Sequence, residues 1–313
     1  MKTLIDGDIV KFRCGMAGEK STHNVYIKEE QAAPSIFSST NLNEVKSYLK
    51  DSDLSSDSVE IVSTKNIEPI ENVLHSVKHM LMSILDRTEA EDYTIYLSGK
   101  GNFREVMAEE VPYKGNRWSE KRRDQEKQNG RWTDWLMATE AKHTVARRPY
   151  HEDQIVKYLC DVWGAVVVDG IEADDALGIA SMKFAQRKEK TCIVSIDKDL
   201  LMIPGLHFNF VKDEWSEVSE LEGYRSFYRQ VLTGDSTDNV PGIKGIGDVG
   251  ATKLLKGCST VEDMRSIVLL TYMESYEYEG LQPKDILRKL NNRQNLLWIK
   301  RKEDPDELPI QFS

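Results

Sequence analysis

Val166-Val167-Val168 and Cys192-Ile193-Val194 are apolar on every residue, and Leu4-Ile5 opens the chain in the same way. A strand that is apolar on both sides has to be covered on both sides, which favours a parallel sheet wrapped by helices over a half-solvated antiparallel one. The corresponding strands are expected at Leu4 to Asp6, Ala165 to Asp169 and Thr191 to Ile196, with others at Val59 to Val62, Tyr93 to Leu97 and His207 to Phe210. Helical patterns run between them, at Pro69 to Arg87, Glu152 to Trp163 and Ala173 to Arg187. This alternation predicts an α/β fold with a mainly parallel central sheet and helices on both faces. From about Gly223 the strand signals stop and helices joined by glycine turns take over. The expected division is therefore a core over 1–222 and a helical region over 223–313.

Composition narrows the classes. A chain of 313 residues, 40% hydrophobic, can build one large core or a core with a smaller module. No apolar run approaches the ~18 residues of a membrane-spanning helix. The N-terminus turns acidic at Asp6 after two apolar residues, too early for a signal peptide, and reads as a first buried strand. The four cysteines are scattered without a C-x-x-C pair and three lie in apolar surroundings, which suits buried thiols and a reducing cytoplasm. His75 and His79 stand at i, i+4 on a probable helix, but no acidic or cysteine partner at zinc-like spacing is near, so they read as a solvated face. Asp51 to Ser58 reads as a solvated loop, and Arg117 to Arg131, with Trp118 and Trp132 at its edges, as a charged helix or loop.

The net charge of −10 is unfavourable for a nucleic-acid partner taken alone. Placement matters more than the total. From Lys100 to Arg148 twelve Lys and Arg face eight Asp and Glu, a local excess of +4.

Open parallel sheets bind ligands outside the carboxyl ends of their strands. Asp6 follows Leu4-Ile5; Asp169, Glu172, Asp174 and Asp175 follow Val166-Val167-Val168; Asp197 and Asp199 follow Ile193-Val194-Ser195-Ile196. Capping preference and the helix macrodipole account for Asp174-Asp175 by themselves. They do not account for acids at three strand ends. Carboxylates so gathered resist joint ionisation without a counter-charge, and oxygen-only ligands favour Mg²⁺ or Mn²⁺. Two such ions roughly 4 Å apart can clamp a phosphodiester, activate a water and stabilise the leaving oxygen. The chain shows no G-x-S-x-G elbow and no phosphate loop of the G-x-x-x-x-G-K type.

Gly234 to Gly247 (GDSTDNVPGIKGIG) leads into Asp248-Val249-Gly250-Ala251-Thr252-Lys253. Gly245-Ile246-Gly247 lets backbone approach a phosphate, the next helix offers free N–H groups, and Lys244 and Lys253 add charge. Such a hairpin grips duplex DNA without reading its sequence.

Leu4-Ile5-Asp6-Gly7, Tyr113-Lys114-Gly115-Asn116-Arg117, Gly170 to Asp175, Asp197-Lys198-Asp199 and Gly234 to Gly247 together resemble the 5′ nuclease family. That family includes flap endonucleases, the 5′-nuclease domain of bacterial DNA polymerase I and phage 5′-3′ exonucleases, and the short phage enzymes are closest in kind. The resemblance implies a PIN-like 5′ nuclease core with an arch over about 100–148, and a helix-three-turn-helix at 234–256. It implies metal ligands at Asp6, Glu172, Asp174, Asp175, Asp197, Asp199, Asp235 and Asp238, holding two Mg²⁺ or Mn²⁺ ions. Lys114 and Arg117 are implied as the catalytic basic pair beside the scissile phosphate. Phe103, Arg104, Tyr113, Gly242, Lys244, Gly245, Gly247 and Lys253 are implied as DNA contacts, Tyr113 by stacking on a base. Hairpin carbonyls are implied to hold a monovalent cation such as K⁺. The implied substrate is DNA with a 5′ end, a flap or an RNA primer, cut by a cytoplasmic monomer in phage replication or primer removal.

The strand Tyr93 to Leu97 departs from the family in ending at Ser98-Gly99 where an aspartate ligand is expected; Asp8 is the candidate replacement. Two other readings stay open. Asp6-Gly7-Asp8-Ile9-Val10 fits the D-x-D-x-V opening of haloacid-dehalogenase-type phosphatases, where the first Asp attacks phosphorus. That reading leaves Glu172, Asp174, Asp175, Asp197, Asp199 and the hairpin without roles. The other is a DNA-structure-binding protein that lost its chemistry through Ser98.

Overall fold

The computed structural model describes residues 1–28, 34–52, 54–55, 57–140, 147–304 and 306–313. The chain divides into two compact units: Met1–Ile9 with Ser83–Arg147 and Cys160–Ser313, and Val10–Met82 with Arg148–Leu159. Helices α1 (Gly7–Ala17), α3 (Ile70–Arg87) and α7 (Glu152–Trp163) contribute residues to both.

The first unit is built on a six-stranded sheet of β1 (Lys2–Asp6), β5 (Asp92–Ser98), β6 (Val166–Val168), β7 (Thr191–Val194), β8 (Gly205–Asn209) and β9 (Glu214–Val218), in the order β6-β5-β1-β7-β8-β9. All neighbours are parallel except β8 and β9. Ile5 of β1 stands opposite Ile95 and Val194, and all three are fully buried. The chain passes from β1 to β5 and β6 on one side, then returns to β7 and β8 on the other. The strand order therefore reverses at β1, and the crevice belongs at the carboxyl ends beside Asp6. Helix α8 (Ala173–Gln186) packs across β1, β5 and β7.

Val166 and Val167 depart from expectation. They are 44% and 46% exposed, because β6 is the sheet's edge and has β5 as its single partner. The apolar run marks a strand correctly but not one covered on both faces.

Helix α9 (Glu220–Thr233) starts from a Ser219/Glu222 capping box and runs through Gly223. A Cβ at Gly223 would stand 2.4 Å from the Met202 carbonyl oxygen, so this glycine lets α9 close against the 3-10 turn Lys198–Met202. Helices α10 (Asp248–Leu255), α11 (Val261–Glu277) and α12 (Pro283–Leu297) pack around α9 over a core that includes Phe227, Tyr228, Val231 and Tyr272. A short pair, β10 (Gly234–Asp235) with β11 (Val240–Pro241), closes the loop after α9.

The charged run Arg117 to Arg131 is largely helix α5 (Glu120–Asn129), capped by Ser119 and ended by Gly130 at φ 74°. Trp118 and Trp132 on its flanks are buried, and Trp118 meets Trp135 of α6 (Thr133–Thr139) edge-on. Short α4 (Phe103–Met107) precedes this region. The part of the expected arch at 141–146 lies outside the described residues.

The second unit holds an antiparallel sheet of β2 (Glu19–Ile27), β3 (Phe37–Ser39) and β4 (Val59–Ile67), ordered β3-β2-β4, with helix α2 (Leu42–Asp51). Val25, Val45 and Val59 form its small core. The strand expected at Val59 to Val62 is thus real but longer, and it pairs with β2 over nine residues instead of joining the parallel sheet. His75 and His79 are exposed, edge-on at 4.3 Å. No described helix is long and apolar enough to cross a membrane.

Candidate metal and nuclease site

Asp6 ends β1 and is almost fully buried. Its Oδ2 accepts from the Ser195 hydroxyl (2.7 Å) and its Oδ1 from the Ile9 N–H (3.1 Å). Burial, opposed only in part by those bonds, pushes its pKa up to about 7, with Asp8 and Asp197 adding repulsion. Ser195 also accepts from the Asp197 N–H (3.0 Å), so one hydroxyl ties the ends of β1 and β7 together. Asp197 caps the 3-10 turn by accepting from the Asp199 N–H (2.9 Å). Asp199 is itself pushed up to about 7 by burial and by its neighbours Asp197 and Asp235.

Ser98, at the end of β5, presents no carboxylate. Its hydroxyl accepts from the Ala173 N–H (2.9 Å), an otherwise orphaned donor in the first turn of α8. Its own N–H donates to Asp8 Oδ2 (3.1 Å). Asp8 therefore brings a carboxylate over the strand end that lacks one.

The three acids at the start of α8 part company. Asp175 is fully buried and faces inward, in a bidentate pair with Arg104 (2.7 and 2.7 Å) while accepting from the Glu172 and Lys300 N–H groups (3.0 and 2.9 Å). Asp174, one residue earlier, is turned by about 100° and lines a cavity. Its pKa stands well above the ordinary carboxylate value through burial and through Asp6, Glu172 and Asp197. Burial alone would raise Glu172 too, but the Lys114 ammonium and the Arg104 guanidinium hold it below its usual value.

Two of the implied DNA contacts, Arg104 and Tyr113, are turned inward. Arg104 is buried, and besides Asp175 it donates to the Leu296 and Trp298 carbonyl oxygens (3.0 and 2.5 Å), so its charge is spent inside the protein. Tyr113 is 2% exposed, so its ring presents no free face in this structure; its hydroxyl is within donating distance of Glu172 Oε2 (2.8 Å) and Asp238 Oδ2 (2.6 Å). Asp175 is likewise saturated by Arg104 and two N–H donors, which leaves it no oxygen facing the cavity group. Phe103 is half-buried with Arg104 over its ring at 4.5 Å.

Lys114 adopts a left-handed backbone (φ 52°) and pairs with Glu172, with Asp238 Oδ1 3.7 Å away. Arg117 donates to Asp238 Oδ1 (2.9 Å) and to the Thr237 carbonyl (3.1 Å). Asp235 accepts from the Thr237 and Asp238 N–H groups and from Gln230 Nε2 (2.9 Å). Glu172, Asp174, Asp199, Asp235 and Asp238 line one cavity with Arg104, Tyr113, Gln230 and an apolar floor of Leu296, Leu297 and Ile299. Gln230 and that floor carried no sequence motif.

The donors are all carboxylates, and Asp6, Asp174 and Asp199 resist ionisation as they stand, which is the chemistry a hard divalent cation relieves. Among the described residues no three acidic, histidine or cysteine side chains are already set to hold an ion. Glu172 and Asp238 are turned to Lys114, Arg117 and Tyr113.

In the glycine hairpin, Gly245 is left-handed (φ 86°) with open space where a Cβ would stand, and Lys244, Gly247 and Lys253 are exposed. Gly247 caps α10. Gly242 differs: a Cβ there would lie 2.1 Å from the Thr233 carbonyl group. It serves close packing inside the hairpin. Gly242→Ala is expected to lower stability by about 1–3 kcal/mol or more, read as a lower urea midpoint.

No family model matches the chain. Over 110 residues it is 36% identical to DNA polymerase I of Borreliella burgdorferi, a stretch covering 32% of this chain and 12% of that protein. Over 121 residues it is 32% identical to a 5′-3′ exonuclease of Aquifex aeolicus, covering 35% and 42%. The chain thus spans less than half the length of either relative. Its fold matches that of the bacteriophage T5 flap endonuclease, solved as a pseudo-enzyme–product complex with DNA and metal ions, at a TM-score of 0.52 and 14% identity over 92% of this chain and 87% of that one. The resemblance to 5′-3′ exonucleases and flap endonucleases read from the motifs is borne out by these relatives, and the mainly parallel α/β fold by the structure.

Proposed function

We propose that this chain is a divalent-metal-dependent 5′ nuclease that hydrolyses DNA phosphodiesters near 5′ ends and leaves 5′-phosphates. The observation that carries the reading is one cavity lined by Glu172, Asp174, Asp199, Asp235 and Asp238, with Asp6 and Asp197 close enough to repel Asp174 and with Lys114 and Arg117 paired to Glu172 and Asp238. The residues to hold two Mg²⁺ or Mn²⁺ ions are Asp6, Glu172, Asp174, Asp197, Asp199, Asp235 and Asp238, with Asp8 standing in at the end of β5. Bound there, the ions would polarise the phosphodiester and activate the attacking water.

The chain's own groups do the rest. Tyr113 orients Glu172 and Asp238 by bonding both. Once those carboxylates are neutralised otherwise, Lys114 and Arg117 are released to meet the negative charge that builds on the phosphate. Arg104 and Asp175 fix the first turn of α8, which aims Glu172 and Asp174. Lys244, Gly245, Gly247 and Lys253 offer the duplex backbone charge and free N–H groups, with K⁺ as the monovalent ion for the hairpin carbonyls. The same reading places the activity in replication or primer removal.

Duplex DNA labelled at its 5′ or its 3′ end and incubated with Mg²⁺ tests the proposal. Early release of short 5′-labelled products is the expected result. Intact DNA with retained binding in both Mg²⁺ and Mn²⁺ would replace it by the binding-protein reading, and hydrolysis confined to small phosphate monoesters by the phosphatase reading. Lys114→Ala is expected to slow cleavage by about 10²–10³-fold, with an unchanged circular-dichroism spectrum. Wild-type turnover by that variant would remove Lys114 from the chemistry.

A further inference from the structure

A second cavity in the same unit lies between α8 and the β5–β6 side of the sheet, remote in composition from the acidic site. It is an open-mouthed pocket of roughly 460 Å³, within the size range of small-molecule sites. One wall is a single helical face, Ala176, Ile179, Ala180, Lys183, Phe184 and Arg187, at the i, i+3, i+4 spacing of α8. The other is Thr94 and Tyr96 of β5 with Val168 of β6. Two causes leave the space. Ala176 and Ala180 are too small to fill it, and β6 is a three-residue edge strand with no neighbour beyond it. Val166, on the same side of β6 as Val168, is 44% exposed, so the apolar lining continues to the surface.

The charges sit together at one end. Lys2 opens β1, and Lys183 and Arg187 belong to the end of α8; Glu303 is the single carboxylate of the lining. Lys2 is paired with Asp92 (2.6 Å) and Lys183 with Glu303 (2.8 Å). The exposed Arg187 guanidinium is in no close salt bridge among the described residues, and it lies near enough to Glu303 to help lower that carboxyl's pKa, after Lys183. A planar fork of donors beside an apolar chamber suits a carboxylate. Along the chamber itself the hydroxyls of Thr94 and Tyr96 are the polar side-chain groups, too few to satisfy a nucleobase and sugar.

We infer that this cavity binds an amphipathic anion, an apolar body of medium-chain or aromatic-acid size whose carboxylate is held by Arg187 at the rim. The site is independent of the nuclease reading, and EDTA keeps the two apart experimentally.

The test is titration of the intact chain in EDTA with 1-anilinonaphthalene-8-sulfonate, an aromatic anion whose fluorescence rises in apolar surroundings. Saturable binding of one dye per chain is expected, displaced by decanoate and not by thymidine 5′-monophosphate. Arg187→Glu, a surface change, should weaken the dye by about tenfold or more, the loss of one charge-assisted contact. It should leave binding of the uncharged N-phenyl-1-naphthylamine intact. Ala180→Leu should weaken both dyes by filling the chamber; if it does not fold, Arg187→Glu decides alone. No saturable dye binding, unchanged affinity in Arg187→Glu, or displacement by the nucleotide and not by decanoate would each overturn the inference.

Discussion

Asp174→Ala is expected to abolish metal-dependent cleavage while the protein folds at least as well as its parent. Removing even an outer partner of a metal ligand costs about 10–100-fold, so loss of a direct carboxylate should exceed about 100-fold. The stability side has a separate cause. Asp174 is held against burial and against Asp6, Glu172 and Asp197, so without metal its carboxylate works against the fold. In EDTA the variant should therefore melt at or above the wild-type temperature, and its DNA affinity, which the proposal assigns to the hairpin, should persist. Cleavage at the parental rate would show that Asp174 is not part of the reaction.

The neighbouring position is expected to behave in the opposite way. Asp175→Ala or Arg104→Ala strips one partner from a buried pair whose other member then keeps an uncompensated charge, a loss of about 3–5 kcal/mol. For Arg104→Ala the stranded Asp175 carboxylate retains only the two N–H donors of Glu172 and Lys300. The Leu296 and Trp298 carbonyls lose their donor at the same time. Urea unfolding reads both losses. The double variant Arg104→Met/Asp175→Leu should recover much of the stability, since an apolar pair of similar volume leaves no charge behind. Single variants with the wild-type midpoint would contradict the assignment of this pair to structure.

Adjacent acids with opposite fates show where the sequence stops being legible. Apolar runs located β1, β5, β6 and β7, and the acids after β1, β6 and β7 located the crevice that their ends share, because a parallel sheet forces those positions together. Which way each acid turns was not legible. Asp174 and Asp175 differ by about 100° around α8, and only the partner brought by α4, 71 residues away in the chain, decides that Asp175 faces inward. Arg104 and Tyr113 sit in a basic, aromatic stretch that reads as a nucleic-acid face, yet their partners Asp175, Glu172 and Asp238 draw them inside. Of the β2–β4 sheet only the start of β4, at Val59 to Val62, was legible: Glu19 to Asn24 is polar on both faces and the rest of β4 is exposed, so neither β2 nor its pairing with β4 carries a buried-face signal. The apolar floor at Leu296, Leu297 and Ile299 looked like any helix end.

A divalent-metal site built from these carboxylates has a pH dependence that follows from their shifts. Asp6 and Asp199 titrate near 7 in the folded chain against 3.8 ordinarily, so the folded state holds their protons more tightly than the unfolded state does. Their contribution is stabilising below the ordinary value and is lost as the pH rises through about 7. Above that pH the metal-free site is at its most strained, and a bound cation has the most to relieve. The deciding measurement is thermal unfolding of the wild type and of Asp174→Ala, in EDTA and in Mg²⁺ or Mn²⁺, at about pH 5.5 and about pH 8. A metal-induced rise in Tm that is larger at the higher pH and missing from Asp174→Ala is the predicted result. A wild-type Tm that neither metal moves at the higher pH would contradict a divalent-metal site.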